Sequence, residues 1–148
     1  MNKHLLSVLA FVIITFAIQG TSHMVINSDH YQNMGFLRPN PIFALGFLAM
    51  LIQGTIMTIW LHLLAPREAT IRLGLIVSLG FGLFLASYIS LASPAKYQVP
   101  SIAAWITVES LASLLQFTLF GIVIGFIHSK AKGPQVKSDP TTSFETQK

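Results

Sequence analysis

Apolar residues fall along the chain in four long blocks, about 5–26, 42–64, 71–92 and 101–128, separated by short polar stretches. Each block approaches or exceeds the roughly 20 residues that an α-helix needs to cross about 30 Å of hydrocarbon. The connections are too short to hold a soluble domain. The pattern therefore predicts an all-α integral membrane four-helix bundle, a single transmembrane domain over 1–129. From 130 to 148 the chain is polar, carries Gly133, Pro134 and Pro140, and shows no apolar periodicity. That stretch is expected to be a disordered tail.

The first block has a second reading. Lys3, the run LLSVLAFVIITFAI and then Gly20 have the layout of a secretory signal peptide with a poor cleavage position. Apolar character continues past Gly20 through Met24, Val25 and Ile26, so the block is expected to stay as a first helix. Cleavage would instead leave three helices.

Lysine and arginine placement sets the expected orientation. Four spans put both termini on one side. Lys3, Arg67, Arg72, Lys130, Lys132, Lys137 and Lys148 fall on that side, and Arg38 and Lys96 opposite. Both termini are accordingly expected in the cytoplasm. The 65–70 turn then joins the second and third helices inside. The two outward connections, 27–41 and 93–100, become neighbours above the bundle. Pro94 and Pro100 are expected to stop the third helix and start the fourth.

Composition sharpens this picture by exclusion. The chain is 53% hydrophobic and 9% charged, against about 25% charged in soluble domains. Cysteine is absent, which excludes disulfides, thiolate metal sites and cysteine nucleophiles. The net charge of +4 forms no basic patch with interleaved aromatics, so the bilayer, and not nucleic acid, is the expected partner. Trp60, Trp105, Tyr31, Tyr88 and Tyr97 are mostly expected near the membrane interfaces.

Helices in lipid associate by close approach at small residues and by interhelical hydrogen bonds. Gly74, Ser78, Gly82, Ala86 and Ser90 recur at every fourth position of the third helix and form a groove along it. Gly121 and Gly125 make a GxxxG pattern in the fourth helix, and Gly46 and Gly54 lighten the second. These positions are expected to serve packing, within one chain or in a homo-oligomer or larger membrane complex.

Candidate chemistry centres on Glu109, a carboxylate set well inside the fourth apolar block. Such a group costs about 2.5–3.5 kcal/mol to insert and usually faces protein or a water-filled interior. At 100° per residue, Trp105, Glu109, Ala112, Ser113 and Gln116 share a face of the fourth helix. Thr15, Gln19, Ser22 and His23 share one on the first helix, and Gln53 lies near the middle of the second. Glu109 sits about eight residues, ~12 Å, below the outer start of its helix, and Gln19 lies at similar depth. Glu109, Gln19 and His23 are thus expected to cluster beneath Arg38, with Gln53 and Gln116 nearer the midplane. The cluster would bind a small ligand or proton, or act as interhelical hydrogen-bonding glue.

Other motifs are negative. His62 and His128 could face each other at one depth as haem ligands do, but more readily mark the membrane boundary. No phosphate loop, nucleophile elbow or acidic metal cluster stands in the sequence, so no cofactor, metal or catalytic residue is expected. The features His23-Met24-Val25, Tyr31, Arg38-Pro39, Arg72-Leu73-Gly74-Leu75, Lys96-Tyr97-Gln98-Val99-Pro100 and Trp105 resemble those of a group of small bacterial four-helix inner-membrane proteins. The resemblance spans about 5–127, with Glu109 outside its pattern. It implies a bacterial inner-membrane location and implies no activity. The expected role is a non-enzymatic ligand- or proton-binding membrane protein. An accessory subunit of a larger complex and a small oligomeric transporter are the alternatives.

Overall fold

The structure, a computed structural model, describes residues 2–35, 37, 38 and 40–129; the expected tail at 130–148 lies outside the described residues. The described chain is helical: α1 (Lys3–Thr21), α2 (Ser28–Gln32), α3 (Phe43–Leu64), α4 (Ile71–Ser87), α5 (Ser93–Lys96) and α6 (Ile102–His128), with no strand among the described residues. Wider π-helical turns, Ser22–Ile26 and Tyr88–Ala92, extend α1 and α4. Four helical spans, Lys3–Ile26, Phe43–Leu64, Ile71–Lys96 and Ile102–His128, are long and apolar enough to cross a membrane.

Side chains cap three of the long helices at their starts. Asn2 accepts from the His4 N–H, Thr70 from Leu73 and Ser101 from Ala104, which satisfies donors that a helix start leaves open. The other stretches depart from expectation in two places. Pro94 does not stop the third helix: the π-turn before it leads directly into α5, where Pro94 occupies the first turn and its missing N–H is not needed. The 27–41 connection is not all turn. It folds α2 back over the bundle and buries Tyr31 and Met34 against Trp105, with Ile89 and Val99 packed alongside. Tyr31 and Trp105 are therefore 7% and 5% exposed, turned into the bundle.

The helices do not pack in chain order. α6 stands between α1 and α4, α3 lies against α1, and α4 meets α6 far more extensively than it meets α3. The 65–70 turn is held at the terminal end of the bundle by Ala69 N–H donating to the His128 carbonyl, 3.1 Å.

The α4–α6 contact follows from residue size. A Cβ at Gly74 would stand 2.7 Å from the Gly125 nitrogen, one at Gly82 would stand 2.5 Å from Phe117 Cγ, and one at Gly125 would stand 2.6 Å from Ile71 Cα. Ser78, fully buried in the same row, donates to the Phe117 carbonyl at 2.6 Å. Ala86 is half-buried and Ser90 accepts from Ser110 at 3.2 Å. The groove along the third span is thus filled by the fourth helix of the same chain, not left open to a partner. Beneath it the core gathers Phe11, Met57, Leu61, Phe117, Phe120 and Ile124.

Candidate functional site

At the end of the bundle covered by α2, polar side chains from α1, α2 and α6 converge. The π-turn shapes their α1 side. By adding a residue to the turn it buries Ser22, whose hydroxyl accepts from Asn27 Nδ2 at 3.0 Å, while His23 stays half-buried beside it. Single π-turns of this kind recur at functional sites.

Glu109 lies 4% exposed on α6. Its Oε1 accepts a hydrogen bond from the Tyr31 hydroxyl at 2.5 Å and stands 3.9 Å from His23 Nε2. Burial, then the hydrogen bond to Glu109 and its charge, push the Tyr31 hydroxyl well above its ordinary 10.0, against a smaller lowering by Ser22. Tyr31 therefore remains a protonated donor. His23 Nδ1 lies 2.7 Å from the Gln19 carbonyl. A carbonyl only accepts, so Nδ1 carries a hydrogen and Nε2 is left to face other groups. That nitrogen faces the carboxylate. The His23 and Tyr31 rings pack with centroids 3.9 Å apart. With the His23 side chain 37% exposed and that of Glu109 5% exposed, His23 is the more accessible member.

One level deeper, Gln19 Nε2 donates to Gln116 Oε1 at 2.8 Å and Gln116 Nε2 donates to Thr15 at 2.9 Å. The Gln19 Oε1 is buried without a partner. Gln19 thus belongs to a lower rung with Gln116 and does not contact the Glu109 carboxylate. Gln53 joins neither rung: it is half-buried on α3, while Gly54 beside it turns to α1, where its Cβ would stand 3.1 Å from Phe11. Equal depth in sequence cannot reveal which way a helix is rotated. Tyr31 is the partner that sequence reasoning placed at an interface. Its signal was its position in the 27–41 connection, within reach of His23.

His23, Tyr31 and Gln19 also line a crevice of about 940 Å³ between α1 and the first half of α3, roofed by α2 and by Met34, Leu37 and Arg38. α1 and α3 touch at Phe11 and Gly54 and separate above that level, with Phe16 and Phe47 stacked 5.5 Å apart across the gap. Met24, Leu45 and Met50 add apolar wall, and Arg38 stands at the rim. Gly20 and Gly46 line it too, and a Cβ at either would meet nothing within 4 Å. The arrangement sets a polar edge of His23, Tyr31 and Gln19 against apolar walls. Among the described residues no group of three or more His, Asp or Glu is placed to hold a metal ion.

At the opposite end His4 packs against both His62 and His128, with ring centroids 5.0 and 5.4 Å away. His128 Nε2 lies 3.0 Å from Ser7 Oγ. The Ser7 hydroxyl donates to the Lys3 carbonyl, so it accepts from His128. His62 and His128 thus flank a third ring.

No family model matches this chain, and no curated protein or solved structure matches it either.

Proposed function

We propose that this chain is a multi-pass protein of the bacterial inner membrane, with both termini in the cytoplasm, that binds a small amphipathic ligand in an outward-facing crevice. The carrying observation is the crevice between α1 and α3, whose walls are apolar and whose floor gathers Gln19, His23 and Tyr31 in front of Glu109. Its volume, about 940 Å³, falls in the range of ligand pockets, roughly 300–1,000 Å³. The accessory-subunit reading has less support: the small-residue groove it would use is occupied by α6.

Orientation is supported by the lysine and arginine bias and tested by labelling. The chain has no cysteine, so single replacements report without background. A membrane-impermeant maleimide is expected to label Asn33→Cys in cells with a permeabilised outer membrane and an intact inner one, and Arg67→Cys only after lysis. The reverse pattern would place the crevice on the cytoplasmic side.

Filling the crevice tests binding. Gly46→Trp puts a large side chain into open space, so the protein is expected to keep its detergent stability. It is expected to lose displaceable binding of a fluorescent amphiphile by tenfold or more, roughly the effect of about 1.4 kcal/mol. Unchanged binding in a stable Gly46→Trp protein would reject the crevice as the site.

A further inference from the structure

The crevice is graded along its length. Arg38 stands at the rim, Tyr31, His23 and Gln19 line the polar side, and Phe16, Phe47 and Met50 line the apolar end, toward the level where Phe11 meets Gly54. A molecule that satisfies this sequence has a polar head at the rim and one apolar chain running down toward the Phe11 layer.

The charge of that head follows from which ionic groups are already answered. Glu109 is turned away from the crevice, with Tyr31 donating to its carboxylate and His23 facing the same oxygen. Lys96, the other cation on this end of the bundle, sits over the Tyr88 ring at 5.3 Å. Arg38 lines the crevice, is exposed, and has no acidic partner among the described residues. The opening therefore presents the Arg38 guanidinium beside an apolar channel. Guanidinium binds carboxylate and phosphate through two parallel hydrogen bonds, which a single neutral hydroxyl cannot match.

We propose that the ligand is a single-chain amphiphile with an acidic head, a carboxylate or a phosphate monoester, its head held at Arg38 and its chain lying against Phe16, Phe47 and Met50. This rests on the crevice being a binding site and adds the chemical class of what it takes.

The test uses the full chain in a neutral detergent and four probes of equal chain length: an alkyl carboxylate, an alkyl phosphate, the alcohol and the amine. Each competes against a fluorescent amphiphile. One or both acids are expected to bind about tenfold more tightly than the alcohol and the amine. Carboxylate and phosphate arms separate a free fatty acid from a lipid-derived headgroup. Arg38→Gln, an exposed change that should not disturb folding, is expected to bring the acids down to the level of the alcohol. Arg38→Lys is expected to keep part of the preference as a point charge. A tightest-binding amine, or acids no better than the alcohol, would overturn the acidic-head assignment, and an acid preference that survives Arg38→Gln would overturn the placement of the head at Arg38; either would leave the crevice as a binding site. Failure of all four probes to bind would overturn the binding site itself.

Discussion

Gly74→Leu is expected to abolish recovery of folded protein, whereas Gly80→Leu on the same helix leaves it unchanged. The two positions share a helix, a residue type and a substitution, and differ in what they meet. A Cβ at Gly74 would lie 2.7 and 2.8 Å from backbone atoms of Gly125, while a Cβ at Gly80 would meet nothing within 4 Å. Backbone cannot rotate aside as a side chain does, so α4 and α6 would have to part along their whole contact. Overpacking costs about 1–3 kcal/mol where neighbours can shift, and more where they cannot. Whole domains are stable by only about 5–15 kcal/mol. Gly82→Leu should be nearly as damaging, because the ring it would strike, Phe117, is itself 4% exposed and packed on Phe11. Leu83→Ala, by contrast, trims a side chain that is 74% exposed on the helix surface and should be mild. Monodisperse yield and thermal stability in detergent measure all four. Equal behaviour of Gly74→Leu and Gly80→Leu would mean that α4 and α6 do not approach closely in the folded protein.

Glu109→Leu is the second large effect, and its cause lies in Tyr31. Removing the carboxylate leaves the Tyr31 hydroxyl buried with its principal acceptor gone, a loss of about 1–3 kcal/mol. It also cuts the polar tie between α2 and α6, so the roof of the crevice should loosen with it. Glu109→Gln keeps an oxygen for Tyr31 and removes the negative charge facing His23. It is expected to retain most of the stability. Pairing Glu109→Leu with Tyr31→Phe removes donor and acceptor together and should recover part of the loss, since two apolar groups in contact leave nothing unsatisfied. Thermal unfolding in detergent reads the whole cycle. A double variant as unstable as the sum of its single changes would show that the hydrogen bond is not what Glu109 contributes.

Some of this was legible from residue order alone, and the reason is locality. Four apolar blocks of spanning length appear as four helices because hydropathy and helix length are properties of contiguous residues. The small residues from Gly74 to Ser90 and the buried set Trp105, Glu109, Ala112, Ser113 and Gln116 fall on common faces because helical periodicity places them there before any neighbour is present. What periodicity leaves open is each helix's rotation and neighbour. Gln116 met Gln19 and Thr15 while Gln53 joined neither rung, since α6 packs against α1 and the α1–α3 contact at this level is carried by Gly54 and Phe11. The path of a connection is equally non-local. Residue order marked 27–41 only as an outward connection, yet α2 turns inward because Tyr31 and Met34 find apolar cover on Trp105 and Tyr31 a carboxylate on α6. The two π-turns lie at the outer ends of the first and third apolar blocks, where hydropathy does not distinguish them from α-helix. The crevice exists because α1 and α3 meet at Gly54 and diverge above it, a geometry of two helices that neither helix's residues contain.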